Sequence, residues 1–78
     1  MDTYEYCSIK EEFEGDKKAT LDIYDAEGRH KQAGVEDLQR NIAQLGKNGW
    51  EMISVTQLSD PKSLVYFFKK KVYVPKYG

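Results

Sequence analysis

The sequence is poor in the residues that staple or activate small proteins. Its 78 residues include one cysteine, Cys7, and one histidine, His30. A lone cysteine closes no intrachain disulfide, which is the usage expected of a reducing cytoplasm. A zinc site draws on about four ligands, mostly Cys and His, so neither a structural metal nor a cofactor is expected. No apolar run approaches the ~20 residues of a membrane-spanning helix. The opening Met1-Asp2-Thr3-Tyr4-Glu5 is acidic and has no apolar core, so no signal peptide is expected. There is no glycine-rich phosphate loop. No local motif joins Cys7 to His30 as a nucleophile pair, and Cys7 reads as a small core residue. An enzyme would have to work with carboxylates and tyrosines alone, and none is expected.

What is present describes one small domain, residues 1–78, with a short tail at 75–78. Hydrophobic residues make up 40% of the chain, charged residues 32% and aromatics 13%, which excludes a disordered acidic chain. The formal net charge of −1 conceals a division. Residues 1–60 carry 13 acids against 7 Lys and Arg, whereas residues 61–78 carry five lysines and no acid. The average offers no global attraction to nucleic acid or to a membrane surface; the C-terminal segment offers a local one.

Residues 3–9 are rich in aromatic and β-branched types and predict a first strand, with Tyr4 and Tyr6 on one face and Cys7 and Ile9 on the other. Its parity extends to Phe13. Gly15 to Lys18 read as a turn, and residues 20–24 as the returning strand, with Leu21 and Ile23 on one face. Asp25 to His30 read as a polar loop. Val35, Leu38, Ile42 and Leu45 recur at spacings of three, four and three, which is one stripe of a helix. Glu36 and Asp37 are expected in its first turn, where the helix dipole favours acids. Gly49 is expected as the left-handed residue that ends the helix, with Trp50 folding back on the last turn. Gly46 costs helix stability, so a close approach is expected there. Residues 50–56 predict a third strand. Asp60-Pro61 predict a turn, and residues from Leu64 towards Val74 a fourth strand that Pro75 ends.

The expected fold is therefore α+β in two layers. A four-stranded antiparallel sheet, with element order β-β-α-β-β, carries one helix on one face. In the last strand Leu64, Tyr66 and Phe68 share one parity, and Val65 and Phe67 take the other. Residues 50–55 repeat the pattern, with Trp50 and Met52 set against Ile53 and Val55. One helix covers one face. Either a β-bulge in each strand returns the apolar residues to one side, or a second apolar face is buried against another molecule. A chain this short buries only about 60% of its unfolded surface, which favours burial against a second copy.

The segment Leu45-Gly46-Lys47-Asn48-Gly49-Trp50-Glu51, with Tyr4-Glu5-Tyr6 before it and Tyr66-Phe67-Phe68-Lys69-Lys70 after it, resembles a small bacterial and phage family. That family is known only as domain of unknown function 4177. The resemblance covers residues 4–10 and 35–71 and leaves residues 11–34 as a private insertion. It implies the same α+β fold, and it carries no active site to transfer.

The expected function is a non-enzymatic interaction module, working as a homodimer or higher oligomer with an unidentified protein partner. In a bacterial or phage setting it would be an inhibitor or adaptor. Tyr4, Tyr6, Tyr66 and Phe68 are the candidate interface, because aromatics concentrate in interface cores. The alternative is nucleic-acid or nucleotide binding through the last strand. There Lys69, Lys70, Lys71 and Lys76 alternate with aromatics that stack bases. Gly46-Lys47-Asn48-Gly49 matches the backbone clamp of KH domains, but the helix cap already explains it. The acids Glu11, Glu12, Glu14 and Asp16 read as a solvated strand edge. Asp22, Asp25 and Glu27 lack the spacing of a calcium loop.

Overall fold

The computed structural model describes residues 3–15, 18–59 and 62–72. Thr3–Glu12 form β1, Ala19–Tyr24 β2, His30–Val35 β3, Leu38–Lys47 α1, Glu51–Ser59 β4 and Lys62–Val72 β5. The five strands make one sheet in the order β3-β2-β1-β5-β4, and every pairing is antiparallel. The α+β class and, among the described residues, the single helix agree with the expectation. The four-stranded sheet does not: the element order is β-β-β-α-β-β.

The additional strand is β3. The turn before it forms because the Asp25 carboxylate accepts from the backbone N–H of Glu27 and of Arg29, at 3.0 and 2.8 Å. Gly28 supplies a left-handed φ of +82°. The segment expected as a polar loop is therefore the turn of a hairpin. β3 was hidden because His30-Lys31-Gln32-Ala33-Gly34 shows no apolar alternation. As an edge strand it needs little, and only Val35 is part-buried. β2 and β3 thus continue the sheet as a meander, with Ile9 opposite Leu21 and Leu21 opposite Ala33.

Val35 consequently belongs to β3 and not to the helix. Asp37 is the N-cap, in extended conformation, and its carboxylate accepts from Arg40 N–H at 3.1 Å. Glu36 and Asp37 precede the first turn. The stripe of Leu38, Ile42 and Leu45 survives, and Val35 joins the same core from the strand. The helix ends as expected. Gly49 has φ +93°, Gly49 N–H donates to Gly46 C=O at 3.1 Å, and Trp50 N–H donates to Leu45 C=O at 2.9 Å. These are the two bonds of a Schellman motif, and they satisfy carbonyls that the helix leaves open. The close approach expected at Gly46 is absent, since a Cβ built there meets nothing within 4 Å.

Cys7, Ile9, Leu45 and Phe68 form the buried core, ringed by residues that include Leu21, Ile23, Leu38, Ile42, Trp50 and Tyr66. Burial pushes the Cys7 thiol up to about 11, against a smaller opposing effect of Lys70. β1 lies at the sheet's centre and pairs with β5 from Thr3 opposite Val72 to Glu12 opposite Ser63. Phe13, beyond the end of β1, is exposed but still donates its N–H to Lys62 C=O. β4 and β5 pair as far as Ser59 opposite Lys62. The expected Asp60-Pro61 turn and the tail at 75–78 lie outside the described residues.

The expectation of a bulge in each strand is half met. β4 shifts register between Met52 and Ser54, which leaves Ile53 as the extra residue; β5 runs on without such a shift. The shift sets Met52 opposite Phe68 and Val55 opposite Tyr66, so both now face the helix side. The helix nevertheless leaves them uncovered, and all nine residues of β4 are exposed.

Candidate functional site

Each residue's face follows from the register. Cys7 lies opposite Phe68 and Ile9 opposite Tyr66, on the helix side. Alternation then places Tyr4, Tyr6 and Ser8 on the other face, which no described element covers. Tyr4 is opposite Lys71, and Tyr6 is opposite Lys69 on β5 and Tyr24 on β2. Tyr24 is opposite His30, and Glu51 of β4 is opposite Lys69. One row across all five strands on this open face therefore reads Glu51, Lys69, Tyr6, Tyr24, His30. The next row towards the start of β1 pairs Tyr4 with Lys71. Tyr6 and Tyr24 are 50% and 46% exposed, and Phe67, beside Ser8 on the same face, is 39% exposed.

Local contacts hold this surface in shape. The rings of Tyr24 and His30 stack at 4.8 Å with 9° between their planes. His30 Nε2 donates to Asp22 Oδ1 at 2.7 Å, and the Gln32 side-chain amide donates to the same oxygen at 3.0 Å. The histidine is exposed, as a loop residue would be, but it stands on a strand with two partners. Lys69 Nζ lies 5.2 Å from the centre of the Tyr4 ring, within cation–π range.

The four candidate interface aromatics do not share a face. Tyr4 and Tyr6 are on the open face, while Tyr66 and Phe68 are on the helix side. Phe68 is 2% exposed and belongs to the core. Tyr66 packs against that core, and its hydroxyl donates to Glu11 Oε1 at 3.0 Å. Burial and that carboxylate both raise the phenol above its ordinary range.

The lysines divide in the same way. Lys69 and Lys71 stand on the open face. Lys70 is on the helix side, opposite Glu5, with its ammonium 5.0 Å from the Trp50 ring centre. There it borders a shallow cleft of about 390 Å³ with Glu5, Ile23, Asp25, Arg29 and Trp50. The charges of the cleft largely answer one another. Asp25 takes the Arg29 guanidinium at 2.6 Å, and Arg29 also reaches Glu27 at 2.6 Å. The backbone N–H of Arg29, followed by its side chain and by Glu27 N–H, holds the Asp25 carboxyl below its usual range. Lys76 lies outside the described residues.

Two acids of the expected run have partners, and Asp16 lies outside the described residues. Glu11 accepts from Tyr66, and Glu12 lies 3.8 Å from Lys10. Among the described residues no group of His, Cys, Asp and Glu is arranged to hold a metal ion, and no helix is long and apolar enough to cross a membrane.

Two features escaped the sequence reading. One is the part played by Tyr24 and His30, which needed β3 to be recognised. The other is the condition of β4, whose outer edge is open. No family model matches the chain, and no curated protein or solved structure matches it either.

Proposed function

We propose that the chain is a non-enzymatic interaction module that pairs with a second copy of itself through the outer edge of β4. The observation that carries this reading is the contrast between the two edges of the sheet. The β3 edge is six residues long and holds His30, Lys31, Gln32 and Gly34. Shortness and charge both discourage strand addition. The β4 edge is nine residues long, runs without a register shift from Ser54 to Ser59 after the bulge at Ile53, has one charge, Glu51 at its start, and contains no proline. Met52, Ile53, Val55 and Leu58 are exposed along it.

Such an edge presents a row of unpaired backbone donors and acceptors beside uncovered apolar side chains, which is a template for another strand. A second β4 fits it well. Antiparallel self-pairing is isologous and closes at two copies, and near-neutrality spares it like-charge repulsion. Two five-stranded sheets then become one ten-stranded sheet.

Light scattering after gel filtration tests this. The expected result is twice the chain mass at micromolar concentration, and a return to the single-chain mass for Val55→Lys, which brings like charges together near the two-fold axis. A parent chain that stays monomeric at ~100 μM, far weaker than stable interfaces of this kind, overturns the reading.

A further inference from the structure

The open face of the sheet carries two successive rows with the same composition. Tyr4 stands beside Lys71, and two residues along the strand Tyr6 stands beside Lys69. The tyrosines come from β1 and the lysines from β5, so the two residue types start from parallel files, and Lys69 leans across to the Tyr4 ring, 5.2 Å from its centre. The repeat is about 6.8 Å, two residues of an antiparallel strand. Tyr24 widens the Tyr6 row on the side away from the lysines, and its stack with His30 fixes the outer margin. Tyr6 and Tyr24 are each about half exposed although they sit mid-sheet, so ring surface is available.

A file of aromatics beside a file of cations suits a polymer with one planar group and one anion per repeat. We infer that this face binds single-stranded nucleic acid, with the backbone along Lys69 and Lys71 of β5 and the bases over Tyr4, Tyr6 and Tyr24. A mononucleotide would engage only one row. A duplex hides its base faces, so the tyrosines would have nothing to stack on. Among the described residues, two acids stand on the open face near these rows. Asp22 is held by His30 and Gln32, and Glu51 flanks Lys69 from β4. Of these two, Glu51 is the one left to oppose a phosphate. The surface is distinct from the β4 edge, and strand pairing at that edge would leave it open in both copies.

Fluorescence anisotropy with labelled oligo-dT and oligo-U of about ten nucleotides, a length within the usual site sizes, provides the test. A duplex of equal length serves as control. The expected result at ~50 mM salt is saturable binding of the single strands and weaker binding of the duplex, with affinity falling as salt rises. Tyr6→Ala and Tyr24→Ala should each weaken binding about tenfold, whereas Tyr6→Phe, which keeps the ring, should bind like the parent. Lys69→Ala should weaken binding and reduce the log–log salt slope by about 0.7, the share of one phosphate contact on a single strand. Glu51→Gln should tighten it. The monomeric Val55→Lys chain should bind as well per chain as the parent, so the outcome is independent of self-association. The inference is overturned if no single strand binds at ~50 mM salt and ~200 μM protein, a range in which even nonspecific electrostatic complexes form. It is overturned equally if the duplex binds as well as the single strands, or if Tyr6→Ala, with its circular dichroism unchanged, binds like the parent.

Discussion

The backbone N–H of Trp50 donates to the carbonyl of Leu45 at 2.9 Å, and this bond joins the end of the helix to the start of β4. It requires Gly49 at φ +93°, where a side chain is strained. Gly46, one turn earlier, meets no such demand. Gly49→Ala is therefore expected to cost about 1–2 kcal/mol. Gly46→Ala is expected to stabilise by up to ~1 kcal/mol, because alanine is the better helix former and its methyl enters open space. Urea unfolding of the two variants checks the pair; equal effects of the same sign would refute this account of the cap.

Phe67 and Phe68 are neighbours with opposite fates, 39% and 2% exposed. Phe68→Ala empties the centre of a four-residue core and should cost about 3–5 kcal/mol, enough to unfold much of a chain this small. Phe67→Ala should cost under about 1 kcal/mol, as substitutions at exposed sites do. Thermal melts followed by circular dichroism would distinguish them, and a larger loss for Phe67 would show that the faces are assigned the wrong way round.

Cys7 is buried, with its thiol raised to about 11 from 9.0. In the unfolded chain the thiol ionises first, so above pH 9 unfolding releases a proton. The stability that comes from keeping Cys7 protonated is complete below pH 9 and is lost as pH rises towards 11. The raised phenol of Tyr66 acts in the same direction in the alkaline range. Urea midpoints measured across pH 8 to 11 should fall, and less steeply for Cys7→Ala. At pH 8 the native thiol should resist iodoacetamide and react once urea unfolds the chain.

Asp25 organises the β2–β3 turn through two backbone N–H groups and the Arg29 side chain. Its lowered carboxyl means that this contribution is present at neutral pH and is lost as pH falls through the folded-state value, below 3.8. Asp25→Asn keeps an oxygen for the backbone donors and should be milder than Asp25→Ala. Amide exchange at Glu27 and Arg29 would report the difference, and no change in either variant would deny Asp25 its role.

The local elements were legible because their signals are local. The stripe Leu38, Ile42, Leu45 and the Gly49 cap announce a helix and its end within about a dozen residues. Alternation in residues 3–9 and 20–24 announces strands. β3 was not legible: an edge strand exposed at nearly every position needs no apolar period, and Asp25 builds its turn through contacts that composition does not reveal. A bulge in each strand is one of two ways to sort the apolar residues, and β4 alone takes it, at Ile53. Whether the helix would then cover them depended on packing, and it does not.

The sequence by itself determined the class of the fold, the helix, the inward faces of β1 and β2 and the basic character of the last strand. Those properties follow from periods of two and 3.6 and from residue type. Tertiary structure alone decided which aromatics stand with which lysines. The pairing of β1 with β5 joins residues some sixty positions apart, and its register sets Tyr4 opposite Lys71 and Tyr6 opposite Lys69. A shift of one residue would bring Phe68 and Lys70 to the open face instead, because side chains alternate with every step. The burial of Phe68 with Cys7, Ile9 and Leu45 holds the register where it is. The same core that stabilises the sheet therefore places the tyrosines and lysines side by side on its other face.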